Sequence, residues 1–94
     1  MLHLLIHHKV HDYAKWKPGF DGFAATQKAN GSKGGYLFRI TDAPNEILIL
    51  LEWDDLEKAR RFTQSQDLRE GMQRAGVSVQ PEFYFLEEVE RVPE

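Results

Sequence analysis

Eight residues, Glu46 to Trp53, constrain this chain more than any others. They carry the run Ile47-Leu48-Ile49-Leu50-Leu51, apolar at odd and even positions alike. A short aliphatic run that ends at an aromatic and the capping pair Asp54-Asp55 reads as a strand. Side chains alternate across a strand, so Ile47, Ile49, Leu51 and Trp53 point one way, and Leu48 and Leu50 the other. Such a strand needs cover on both faces. A chain of 94 residues has room for one core and one domain, spanning 1–94, to supply it.

The rest of the chain arranges itself around that strand. Leu2 to Val10 is an aliphatic first strand. Asp12 is an N-cap for a helix whose stripe runs Tyr13, Trp16, Phe20, Phe23, Ala24 and Gln27, with Pro18 distorting its second turn and Asn30-Gly31 closing it. Gly34-Gly35 leads into a second strand, Tyr36 to Thr41. Asp42-Ala43-Pro44-Asn45 is a turn, so the second and third strands form a hairpin. Asp54 or Asp55 caps a helix through about Gln64, and Asp67 starts a short helix, Leu68 to Ala75, ending at Gly76. Pro81 introduces the last strand, Phe83 to Val89, before an acidic tail from Glu90 to Glu94. The order β-α-β-β-α(α)-β implies an α+β, ferredoxin-like plait, a four-stranded antiparallel sheet with its helices on one face.

Helices on one face leave the other uncovered, and that face is apolar as well. The first strand sets Leu5 against Leu2, Leu4 and Ile6. The last sets Tyr84 and Leu86 against Phe83, Phe85 and Val89. Leaving five large side chains such as Leu5, Leu48, Leu50, Tyr84 and Leu86 in water forgoes on the order of 10 kcal/mol, comparable to a whole domain's stability. A second copy, packed sheet to sheet about a two-fold axis, is the simplest cover. A central strand well buried in a monomer is the alternative.

Charge and composition exclude several classes. The net charge is −3, with 12 Lys and Arg against 15 Asp and Glu. The one dense basic run, Lys58-Arg60-Arg61, sits among acids, so nucleic acid is not the expected partner. No apolar window approaches a membrane span, and Leu4-Leu5-Ile6 is too short for a signal-peptide core. There is no cysteine, which removes disulfides, thiolate metal sites and thiol nucleophiles together. The expectation is a soluble, untargeted, cytoplasmic protein.

Among the chemistry-bearing residues, four histidines stand out: His3, His7, His8 and His11. On a helix, three of them would form one metal-binding stripe. On a strand, residues four apart lie about 13 Å from each other, too far for one ion, so no metal site is expected. One of His7 and His8 faces inward, where a histidine beside a cavity can act as a general base. Trp53, Trp16, Tyr36 and Tyr84 can line a flat apolar pocket, although core packing explains Trp16 equally well. Arg39, between Phe38 and Ile40, either points into a cavity to hold an oxyanion or lies on an edge strand in water or beside Glu52. Gly31-Ser32-Lys33-Gly34-Gly35 lacks the spacing and following helix of a phosphate loop and reads as a turn with a bulge.

The segment Trp53-Asp54-Asp55-Leu56-Glu57-Lys58-Ala59-Arg60-Arg61-Phe62-Thr63-Gln64-Ser65 resembles the junction of third strand and second helix in the antibiotic biosynthesis monooxygenase-like families. These belong to the dimeric α/β-barrel superfamily. There, as in Glu52-Trp53, the strand ends in an acid and an aromatic and runs into an acidic helix start. Asp12-Tyr13-Ala14-Lys15-Trp16 and Gly31-Ser32-Lys33-Gly34-Gly35 look like stretches of its small cyclase-like members. The resemblance implies dimerisation sheet to sheet into an α/β barrel. It also implies a small, mostly apolar or aromatic ligand and chemistry ranging from cofactor-independent oxygenation to isomerisation, with no cofactor. Haem degraders of the superfamily combine a first-strand Asn, a Trp near the end of the third strand and a His on the second helix. Only Trp53 matches. The residues expected to carry chemistry are therefore His7, His8 and Arg39, with Trp53, Tyr36, Tyr84 and Trp16 around a ligand. A dimeric interaction module without catalysis is the second reading.

Overall fold

The computed structural model describes residues 2–77 and 80–93; of the acidic tail, Glu94 lies outside them. Four strands, β1 (Leu2–Lys9), β2 (Ser32–Ile40), β3 (Ala43–Trp53) and β4 (Glu82–Glu87), form one antiparallel sheet in the order β2-β3-β1-β4. Among the described residues four helices, α1 (Tyr13–Gly22), α2 (Ala24–Asn30), α3 (Leu56–Thr63) and α4 (Gln66–Ala75), cover one face. This is the ferredoxin-like plait that the alternation of elements implied. The core forms between Leu4, Ile6, Ile47, Ile49, Leu51 and Trp53 on the sheet and Trp16, Ala59, Phe62 and Leu68 on the helices.

Local chemistry sets the boundaries, and it corrects several expectations. The Asp12 carboxylate accepts hydrogen bonds from the amides of Ala14 and Lys15, and Asp55 does the same for Glu57 and Lys58. Pro18 is accommodated inside α1. The expected single helix breaks later, at Phe23, just after Gly22; two glycines in the last four residues of α1 weaken the helix there. The last helix is capped by Ser65, whose hydroxyl accepts from the Leu68 amide, and not by Asp67, which falls in its first turn. Gly31 and Gly76 close their helices with positive φ.

The hairpin turn is Thr41-Asp42, so β3 starts three residues earlier than Glu46. Asn45 is thereby freed from turn duty. Its backbone carbonyl accepts from the Val10 amide, and its side-chain oxygen accepts from the Tyr13 amide, tying the hairpin to the start of α1. At the other end, β2 begins at Ser32, well before Tyr36, and a register shift between Ser32 and Gly35 is the bulge that the glycines signalled.

Gly35 is required by that bulge. A Cβ there would sit 1.7 Å from the Leu50 carbonyl oxygen, whereas one on Gly22 would meet nothing within 4 Å. Gly35→Ala should therefore cost about 3 kcal/mol or more by forcing β2 away from β3. Gly22→Ala should raise stability by about 0.5–1 kcal/mol. Urea unfolding of the two variants beside wild type measures both; a tolerated Gly35→Ala would show that β2 does not pair with β3 in this register.

Candidate functional site

Alternation along β1 decides which histidine meets the helices. Leu4, Ile6 and His8 face them, opposite Leu51, Ile49 and Ile47 of β3, whereas Leu5 and His7 face away, opposite Leu50 and Leu48. His8 is only 4% exposed. α1, phased by its Asp12 cap, brings Trp16 edge-on to the His8 ring at a centroid distance of 5.6 Å, and Phe20 stacks on Trp16 at 4.9 Å.

Between these rings and α4 lies a cavity of about 30 Å3, walled also by Ile6, Ile49, Gly19, Phe23, Gln27, Leu68, Gly71, Met72 and Ala75. Both ring nitrogens of His8 are buried, and neither has a hydrogen-bond partner among the described residues. Burial, and secondarily the charge of His7, pushes its pKa down to about 4. The ring is thus neutral near pH 7, with one N–H to donate and one lone pair to accept. Gln27, the other polar group in the wall, is buried, and its amide makes no hydrogen bond among the described residues. An apolar hollow walled by one buried, unpartnered imidazole and a carboxamide residue is the form that a small-molecule site takes.

The other residues expected to carry chemistry lie elsewhere. His7 sits on the uncovered face, its Nε2 2.7 Å from Glu46 Oε1 and its Nδ1 3.0 Å from Glu82 Oε1. Tyr84 donates to the second oxygen of Glu82, and its hydroxyl and His7 together hold that carboxyl below its usual range. Tyr36 is 67% exposed on the same face, beside Phe38. Trp53 is fully buried against Phe62, outside the cavity wall, with its indole N–H unpartnered. Arg39 does not enter the cavity. It is exposed on β2, its guanidinium 4.4 Å above the Tyr13 ring, which leans in turn on Trp16. The structure therefore joins His8 and Trp16 and separates them from the remainder. Gly19, Gly71 and Met72 escaped the sequence reading, and Phe23 and Gln27 entered it only as members of the first helix's stripe. Gly19 and Gly71 were the available signal, since neither has the positive φ that would require glycine inside a helix.

Among the described residues, no three His, Asp or Glu side chains converge as metal ligands, and no helix is long and apolar enough to cross a membrane.

The fold is that of the antibiotic biosynthesis monooxygenase-like proteins. A Bordetella bronchiseptica protein provisionally classed among them matches with a TM-score of 0.79 at 19% identity, over 94% of this chain and 96% of the other. SnoaB of Streptomyces nogalater, a cofactor-independent oxygenase, matches at 0.78 and 21% identity, over 99% and 97%. A Caulobacter crescentus protein, also provisionally classed, gives 0.73 and 18%, over 95% and 90%. No protein-family profile and no curated protein matches the sequence.

The His8 environment has a measurable consequence. A histidine with a folded pKa below its unfolded value of 6.5 leaves the unfolded chain binding more protons between those values. The stability contribution is complete above pH 6.5 and is lost as pH falls toward 4, about 3 kcal/mol in all. Denaturant unfolding of wild type and His8→Leu at pH 7 and pH 5, at one protein concentration, isolates it. Wild type should lose about 2 kcal/mol relative to the variant over that interval; parallel losses would mean that His8 is solvated.

Proposed function

We propose that residues 1–94 work as a homodimer that binds a small, mostly apolar or aromatic molecule between sheet and helices, with cofactor-independent oxygenase or isomerase chemistry at His8. The observation that carries this reading is the neutral, unpartnered His8 ring at the wall of an aromatic-lined cavity. A phenolic or enolic O–H can donate to the free ring nitrogen and pass its proton there. The resulting oxyanion can take a hydrogen bond from the Gln27 amide. An enolate so formed is electron-rich enough to react with dioxygen, or it can be reprotonated at carbon, which completes an isomerisation. SnoaB, of the same fold, is a cofactor-independent oxygenase. His8 is a weak base where it sits, so it favours substrates that are already acidic.

The cavity as it stands holds one or two water molecules. A ring enters only if Phe20, Phe23 or Met72, all half-buried, swings aside, and an unbranched methionine does so at low cost. The second reading, an interaction module with a filled cavity, draws on this small volume.

A second copy belongs on the uncovered face. Tyr36, Phe38, Tyr84 and Leu86 are 67%, 49%, 45% and 39% exposed there, next to half-buried Leu5, Leu48 and Leu50. So continuous an apolar surface is the mark of an interface. His7, Tyr36 and Tyr84 then serve the dimer, while Trp53 supports the cavity through Phe62 and Phe23. Arg39 steadies Trp16 through Tyr13. The lack of cysteine fits a reducing compartment, the cytoplasm.

Native mass spectrometry of wild type should give a dimer, and Leu48→Lys, a charge on the open face, should give a folded monomer. Titration with 1-naphthol should perturb Trp16 fluorescence, and His8→Leu should weaken binding at least tenfold while leaving the dimer intact. A monomeric wild type sinks the dimer, and naphthol binding indifferent to His8 sinks the site. A dimer that binds nothing is the interaction module.

A further inference from the structure

The cavity does not end at its own walls. It shares Gly19, Phe23, Gly71 and Ala75 with an open groove of about 560 Å3 between α1 and α4. The partition between them is thin because two of these positions lack side chains. A Cβ on Gly71 would come within 3.0 Å of the Phe23 ring, and one on Gly19 within 3.4 Å of the Ala75 methyl. Neither glycine has positive φ, so what each supplies is space and not backbone freedom. Each lies inside a helix, where alanine would be the more stable residue.

Cavity and groove differ in charge. Among the described residues no formally charged side chain lines the cavity, and its histidine is held neutral by burial. The groove carries Lys15, Arg74 and Asp67, two cations and one anion in a chain of net charge −3. None of the three side chains is in an ion pair among the described residues. An apolar ring gains by entering the cavity, whereas a carboxylate would lose its hydration there with no cation to meet it. In the groove the same carboxylate stays wet and faces two cations.

We infer that the ligand is an amphipathic acid, its apolar or aromatic body in the cavity and its carboxylate in the α1–α4 groove against Lys15 and Arg74. This rests on the reading of the cavity as a ligand site and adds the ligand's polarity and direction. Asp67 opposes it and sets its limit.

The test compares 3-phenylpropanoate with its neutral amide, 3-phenylpropanamide, by NMR titration of the full chain at low ionic strength. The Trp16 indole N–H reports the cavity and that of Trp53 the core. The acid should bind about fivefold tighter, the advantage that two exposed ion contacts can supply. The preference should vanish in Lys15→Gln/Arg74→Gln, with amide affinity unchanged, and grow in Asp67→Asn. Equal binding of acid and amide to wild type, or a preference that survives the double variant, overturns the inference and leaves the cavity standing. If neither compound shifts the Trp16 indole signal, the cavity reading itself fails.

Discussion

Everything in this molecule depends on the register between β1 and β3. Pairing Leu4 with Leu51, Ile6 with Ile49 and His8 with Ile47 places one set of side chains beneath the helices, and pairing Leu5 with Leu50 and His7 with Leu48 places the other on the open face. A slip of one residue would exchange the two sets along the whole strand. His7 would then be buried away from Glu46 and Glu82, which belong to β3 and β4, and His8 would be wet. The register is held by burial of Ile47, Ile49, Leu51 and Trp53, each under 5% exposed, and by Asn45, which joins the start of β3 to the first turn of α1. Against that weight, the cost of leaving one imidazole without a partner, of order 1–3 kcal/mol, is affordable.

The cavity follows from the same frame together with a shortage of side-chain volume. α1 and α4 meet across Gly19 and Gly71, and no residue there is large enough to close the gap over His8 and Trp16. The helix break at Phe23 turns that ring toward Gly71 and Phe62, where it both roofs the hollow and joins the core. Helix-interior glycines, an unsatisfied histidine and a broken helix are each unfavourable alone. Their convergence at one place is where this fold gives up stability for space.

Much of this was legible in the sequence, for identifiable reasons. The two-sided run Ile47–Leu51 announced a sheet with two apolar faces, and Asp12, Asp55, Gly31 and Gly76 announced helix ends, because these signals act within a few residues. Thr41-Asp42 was missed because Pro44 and Asn45 are stronger turn formers, yet β3 takes Pro44 near its start and spends Asn45 on a distant amide. Ser65 was missed as a cap because Asp67 stood beside it. The site was half legible. Period two along β1 required that His7 and His8 face opposite ways, but not which way. Trp53 looked like a pocket wall because it ends a strand, while the cavity opened four positions away around Ile49, where two helices of low side-chain volume cross. Sequence alone could not bring α1 to α4.

The adjacent histidines connect the two faces of the sheet. His7 lies between Glu46 and Glu82, and it donates to both only when both its nitrogens carry protons. Burial first, and charge on the neighbouring His7 second, disfavour protonation of His8. The alternation of β1 thus sets a hydrogen-bonded imidazole on the open face and a neutral, unpartnered one beneath the helices, so the two faces of the sheet differ in chemistry as well as in cover.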